Sequence, residues 1–366
     1  MVNKKIIVAM SGGVDSSVSA LILKKKKYQV EGLFMKNWEE DDTTSFCHSK
    51  KDLKDVTSVC NSINIPLHIV NFSIEYWDLV FKKFLKDLKQ GKTPNPDILC
   101  NKEIKFKLFL KFAIENLNAD FIATGHYVQK KKYKNNFFLC RSKDTKKDQS
   151  YFLYTLNQYQ ISKTIFPIGN LQKLQVRKIA KNNHISVFDK KDSTGICFIE
   201  PKKFSLFIRK FINSNPGDIV SVSGKILGKH IGLENYTLGQ RKGLNIGGMK
   251  YLKNSPWYVV DKNIHTNELI VEQDNNNIYL LSIGMLLQSV NWINEKTSLK
   301  KYFYCTVKTR YLQKDIPCIV FHKKLLYTKV LFIGLVSSIT PGQSAVFYSK
   351  KICLGGGIIE KKLPFV

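Results

Sequence analysis

The sequence predicts an α/β N-terminal domain on a doubly wound parallel sheet, then a small central β-rich domain and a C-terminal β-barrel. Three observations predict this. Over the first third, short apolar runs alternate with stretches of helical apolar spacing. After about residue 205 the chain turns glycine-rich, with short β-like runs. From about residue 283 alternating segments such as "YFYCTVKTRY" and "QSAVFY" dominate. The expected domains are 1–205, 206–281 and 282–366. A chain of 366 residues can build two or three sizeable cores, and 43% hydrophobic content marks a globular protein.

"KKIIVAM" reads as the first strand. Val14, Val18, Leu21 and Ile22 then repeat at helical spacing over 14–27. "YQVEGLFM" is a second strand, 49–62 a helix and "PLHIVNF" a third strand. Over 74–89, Trp77, Val80, Phe81, Phe84, Leu85 and Leu88 share one helical face. The turn-rich "GKTPNPDILC" leads into a helix over 102–116, expected to start at about Asn101. "DFIATG" is a buried strand, and a lysine-rich hairpin spans 128–142. Residues 157–184 read as helical pieces broken by Pro167 and Gly169. A parallel sheet of this kind binds ligands beyond the carboxyl ends of its strands. The segments at Ser11, Met35 and Gly125 all lie there.

The net charge is +29. A polyanionic partner would explain it, most simply a nucleic acid. So would a genome drifted toward A and T, because lysine and asparagine are abundant throughout. Charge alone therefore separates the two weakly. No apolar run is long enough to span a bilayer, and the first ten residues are too short for a signal peptide. The expectation is a cytoplasmic protein with no membrane partner. The eight cysteines include no C-x-x-C pair, so zinc ribbons and iron–sulfur sites are not indicated. No metal ligand set is assigned. The acidic residues beside Cys47 and His48 read as a solvated loop.

Residues 9–17, "AMSGGVDSS", join a strand to a helix. Gly12 and Gly13 let the backbone turn sharply and bring N–H groups to a ligand. The helix that follows offers its positive end. Ser11, Ser16 and Ser17 add hydroxyls. The segment is a phosphate cradle, and it is not a Walker A loop, because no lysine follows the glycines. "GKT" at 91–93 lacks the glycine a Walker A loop needs at position 86, which is Lys86.

Two cysteines sit in polar, turn-rich segments, where function concentrates. Cys100 in "TPNPDILCNKEIKF" is expected near a helix N-terminus, which favours the thiolate. Asp97, three residues earlier, is placed to move a proton. Cys197 lies in "DSTGICFIE" beside Asp192, Ser193 and Gly195. Cys60, on an apolar helix face, and Cys305, in a strand, read as packing.

These segments occur in order from residue 9 to residue 348, together with "GLFMKNW", "ATGHY", "KDQSYFL", "YTLGQRKGL", "KTRY" and "PGQSAVFY". The loop resembles the PP-loop of ATP pyrophosphatases. The whole chain resembles the bacterial tRNA-specific 2-thiouridylases. That resemblance implies an adenine nucleotide alpha hydrolase-like first domain. ATP would sit on Ala9, Met10, Ser11, Gly12, Gly13, Val14, Asp15 and Ser16, with Met35 and Gly125 near the adenosine. Mg2+ would accompany its phosphates. The substrate would be the wobble uridine of the tRNAs for lysine, glutamate and glutamine. Its C2 oxygen would be adenylated, because it is a poor leaving group.

Cys197 would carry sulfur as a persulfide, supplied by a cysteine desulfurase or a relay protein. Cys100 would resolve it through a transient Cys100–Cys197 disulfide, with Asp97 as acid/base. Asn95, Pro96 and Asp97 would face the target base. His126, Lys147, Asp148, Gln149, Arg310, Tyr311 and Gln343 would contact tRNA. The family pattern continues "RYR", whereas this chain has Leu312 in the third place, one cation fewer.

The rivals are other PP-loop enzymes and a non-catalytic basic RNA-binding protein. A glutamine amidotransferase or a 4-thiouridine synthase would carry a further module upstream, and the loop begins near residue 11. An RNA binder would account for the charge and the β-domain but not for the loop or the two thiols.

Overall fold

The computed structural model describes residues 4–39, 48–192, 204–246, 255–274, 276–297, 301–321 and 327–366. The first domain supplies strands β1 (Lys5–Met10), β2 (Gln29–Lys36), β3 (Leu67–Asn71) and β4 (Phe121–Ala123). The hairpin β5 (Val128–Tyr133) and β6 (Asn136–Arg141) and the short β7 (Thr164–Ile165) follow. One sheet runs in the order β3-β2-β1-β4-β7, with every pairing parallel. The doubly wound reading therefore holds. Ile6, Val8 and Met10 of β1 face one core, and Ile7 faces the other, as the period of two requires.

Helices α1 (Val14–Lys25) and α2 (His48–Ser62) cover the first face. There Val14, Val18 and Leu21 meet Val56 and Val59. The buried hydroxyls of Ser17 and Ser19 are satisfied within α1, on the carbonyls of Gly13 and Asp15. Two longer helices, 73–89 and 96–115, cover the second face with Tyr76, Phe81, Phe84, Ile104, Phe106 and Phe109. Each contains a π-helical stretch, Trp77–Phe81 in one and Cys100–Phe109 in the other. No sequence signal marks either. The second helix also begins at Pro96 and not near Asn101.

The central domain is a four-stranded sheet of β8 (Gly217–Ser221), β9 (Ile226–His230), β10 (Trp257–Asn263) and β11 (Glu268–Gln273), ordered β10-β11-β8-β9. The last domain comprises β12 (Leu281–Trp292), β13 (Tyr302–Lys308), β14 (Ile316–Phe321), β15 (Thr328–Ser337), β16 (Ser344–Ser349) and β17 (Ile352–Pro364). They run β12-β15-β14-β13-β16-β17, and β12 pairs with β17 to close the barrel. Closure removes both edges. Met285, Leu287, Val307, Val320, Val330 and Phe347 fill the interior.

The lysine-rich hairpin does not stand alone. β6 pairs with β17 at Cys140 and Cys353, which extends the barrel sheet with a piece of the first domain. Arg141 reinforces the junction. Its guanidinium lies 3.9 Å from the centre of the Tyr348 ring and donates to both Asp315 oxygens at 2.9 Å. Tyr151 donates to the Ser344 carbonyl at 2.8 Å.

Candidate active site

At the carboxyl end of β1, α1 starts with Gly13 as its N-cap and no side-chain cap. Asp15 does not cap the helix. The first N–H groups of α1 are therefore left for a ligand, the arrangement that binds phosphate. Gly12 takes the left-handed conformation (φ +72°), and a Cβ there would fall 2.8 Å from the Asp52 carbonyl oxygen. Ser16 ties the loop internally, accepting from the Ser11 N–H at 3.3 Å and donating to the Gly13 carbonyl at 3.0 Å. Gly125, after β4, lies against the same turn, where a Cβ would sit 2.7 Å from the Ser16 nitrogen. Met10 and Val14 are buried in the core, and Ala9 and Met35 are partly exposed.

The loop lacks a lysine of its own, but two distant lysines reach it. Lys173, nearly buried, places its ammonium 2.8 Å from both Asp15 oxygens and 2.7 Å from Asp192. The Tyr127 hydroxyl donates to Asp15 at 2.8 Å. Lys190 donates to the Gly12 carbonyl at 3.0 Å and pairs with Asp52 at 2.8 Å and Asp55 at 2.5 Å. Burial works against the Lys190 ammonium, but the two carboxylates outweigh it and hold its pKa above the ordinary value. Asp192 also binds Lys147 at 2.7 Å. Burial opposes its charge, and Lys147 and Lys173 overcome that and lower its pKa. Sequence reading missed Tyr127, Lys173 and Lys190. Their partners in and beside the loop, Asp15 and Gly12, lie more than a hundred residues away in the chain.

The second group is on the helix 96–115. Asn95 caps it, accepting from the N–H groups of Asp97 at 3.1 Å and Ile98 at 3.4 Å, with Pro96 in the first position. Both are standard start signals that the sequence displays. Cys100 therefore lies a full turn inside the helix and is buried. Burial pushes the Asp97 carboxyl up, and Lys105 partly offsets this. The His126 ring packs 5.8 Å from the Phe106 ring and bonds Thr124 at 2.9 Å. Burial, followed by the charge of Lys105, holds its pKa well below the ordinary histidine value. Asp97 and Cys100 thus share the helix 96–115, and His126 packs against Phe106 of the same helix. Cys197 and the acidic stretch 40–47 lie outside the described residues.

The remaining candidates have partners within the protein. Asp148 is buried and accepts from the Ser142 N–H at 3.0 Å and the Ser150 hydroxyl at 2.8 Å. Gln149 accepts from the Tyr127 N–H at 2.9 Å. Arg310 donates to the carbonyls of Leu238 at 2.7 Å and Ser338 at 3.2 Å, pinning the central domain to the barrel. Tyr311 packs on Phe152 with ring centres 4.5 Å apart, and Leu312 is exposed. Gln343 donates to the Thr93 carbonyl at 2.7 Å, and Thr93 donates its N–H to Pro341 at 2.9 Å. Thr93 also meets Thr237 of the central domain, hydroxyl to hydroxyl, at 3.3 Å. The segment leading into the Asp97 helix is therefore held by all three domains.

Known proteins match along the whole chain. Family profiles described as the tRNA methyl transferase HUP domain, the tRNA methyl transferase PRC-barrel domain and the aminomethyltransferase beta-barrel domain match residues 4–201, 205–273 and 282–359. A protein of Buchnera aphidicola subsp. Baizongia pistaciae is 57% identical over 99% of this chain and 98% of its own. One from Shigella dysenteriae is 55% identical over 99% and 98%, and one from Psychromonas ingrahamii is 53% identical over 98% and 98%. Each is named tRNA-specific 2-thiouridylase MnmA. Identity at that level over nearly the whole of both chains makes this chain a member of the tRNA-specific 2-thiouridylase family.

Proposed function

We propose that this protein uses ATP to replace the C2 oxygen of the wobble uridine in tRNAs for lysine, glutamate and glutamine with sulfur. One observation carries the reading. An uncapped helix N-terminus behind a glycine turn and a helix bearing Asp97 and Cys100 stand on one parallel sheet, in a chain that matches 2-thiouridylases end to end.

ATP is the first substrate. Its phosphates would lie on the N–H groups of Gly12 to Ser16, where α1 favours negative charge. The uridine O2 bonds to the α-phosphorus as pyrophosphate leaves, which turns a poor leaving group into AMP. Mg2+ would bind through the phosphates themselves. Among the described residues no cluster of three His, Cys, Asp or Glu side chains would hold it alone.

The outer sulfur of a persulfide on Cys197 then attacks C2, and AMP departs. The Cys100 thiolate attacks the Cys197 sulfur. This breaks the bond to the transferred sulfur, forms a Cys100–Cys197 disulfide and frees 2-thiouridine. External thiols must then reduce the disulfide. Asp97 would pass the protons, a task suited to a carboxyl whose pKa is raised toward working pH. A cysteine desulfurase or a relay protein supplies the sulfur. The +29 charge suits a tRNA partner.

The test is sulfur incorporation into unmodified glutamate tRNA with ATP and a persulfide source, read on a mercury-containing gel. A retarded band is expected with the native protein and with neither Cys100→Ser nor Cys197→Ser. A band that survives either substitution rules out the two-cysteine mechanism. Bound tRNA with no band at all would favour a pure RNA binder.

A further inference from the structure

The helix that carries Asp97 and Cys100 changes type at the cysteine. Pro96–Leu99 is one α-helical turn, and the ten residues Cys100–Phe109 are π-helical. In an α-helix, residues five apart point about 140° away from each other, given 3.6 residues per turn. The i→i+5 bonding of a π-helix widens the turn, so residues five apart stack. Cys100 and Lys105 consequently share a face. Side chains lean toward the N-terminus of their helix, which directs Lys105 back over Cys100 toward Asp97. The adjacent Phe106 ring meets His126. An unbroken α-helix would turn the lysine away from this cluster.

We propose that Lys105 is a further positioning residue of this site: the π turn delivers its ammonium to the Asp97–Cys100 face, where it is the counter-charge of Asp97. The role in thiolation rests on the function proposed above. Electrostatics agree with the geometry. Lys105 opposes the burial that drives the Asp97 carboxyl up, and it adds to the burial that drives the His126 imidazole down. Without the lysine, Asp97 would keep its proton to higher pH and His126 would take one up more readily. The hydrogen-bond donors presented to a base would then change at both residues.

The test follows the Asp97 carboxyl by NMR against pH in protein isotope-labelled at its aspartate carboxyls. The Asp97 resonance is the one that Asp97→Asn removes. Lys105→Met should raise its midpoint by about one unit, and Lys105→Arg should leave it near the native value. A lysine that only packs the helix would not produce this pattern. In parallel, the acid limb of the thiolation pH profile should move upward in Lys105→Met, with the KM for ATP unchanged. An unmoved Asp97 midpoint in folded Lys105→Met overturns the inference, whether or not the protein thiolates tRNA. An arginine variant that behaves like the methionine variant overturns it too. A moved midpoint in a protein that never thiolates tRNA removes the functional reading and leaves the counter-charge in place. If Lys105→Met does not fold, Lys105→Gln carries the same comparison.

Discussion

In the proposed mechanism Asp97 serves chemistry at the expense of stability. Its carboxyl is more basic in the fold than in the unfolded chain, because burial outweighs Lys105. A raised carboxyl stabilises the fold at low pH, where it is protonated. That contribution is lost as pH rises through the folded-state pKa. Asp97→Asn removes the charge and keeps the shape. Its melting temperature should match the native protein near pH 4, where unfolded aspartate titrates, and exceed it by about 2 °C at pH 8. Thiolation should fall at least ~100-fold. Melting curves at the two pH values and single-turnover rates check both halves. A variant no more stable at pH 8 than at pH 4 would mean that Asp97 is ionised at no cost in the fold. Lys173, by contrast, has its charge met directly by Asp15 and Asp192, both within 2.8 Å.

The helix 96–115 shows what its sequence discloses and what it hides. Asn95 followed by Pro96 is a start signal written in adjacent residues, and the structure uses it. Asn95→Ala should cost about 1 kcal/mol in urea unfolding, and Asn95→Asp should recover most of it. Thiolation should fall with the alanine variant, because Asp97 and Cys100 lie in the first two turns. The π stretch, by contrast, is a choice between i→i+4 and i→i+5 partners over the same residues, and side-chain periodicity does not resolve it. That choice decides where Lys105 points. The β1–α1 loop was legible for the same reason as Asn95, since Gly12, Gly13 and the flanking strand are contiguous. The lysines that brace the loop were not, because Lys173 and Asp15 meet across 158 positions. Local chemistry was readable, and long-range ion pairs were not.

At the scale of the whole molecule, the two β-domains hold the segment that leads into the helix 96–115. Lys92 pairs with Glu360 at 3.0 Å, Lys262 donates to the Gly91 carbonyl at 3.1 Å, and Gln343 donates to Thr93. Gly342 takes φ +89°, and a Cβ there would meet the Thr93 nitrogen at 2.8 Å. Gly342→Ala should push the barrel loop off this strap. Thiolation should fall about tenfold or more, as displacement of a reacting group by a fraction of an ångström can cause. The KM for ATP should stay within about twofold, because the phosphate loop lies elsewhere on the sheet. Equal changes in both quantities would show that the strap supports the domain generally and not the helix specifically.

The pairing of β6 with β17 has a consequence for biosynthesis. A ribosome releases β6 early and its partner residues Ile352 and Cys353 near the end of the chain. Through most of translation the hairpin therefore presents an open strand edge, the kind of surface that recruits wrong partners. The Tyr127–Gln149 clasp hangs from the same hairpin. The hairpin of the first domain thus gains its second neighbour only when β17 emerges. Nascent chains stalled short of residue 352 should be cut by protease within residues 128–141, and released full-length chains should not.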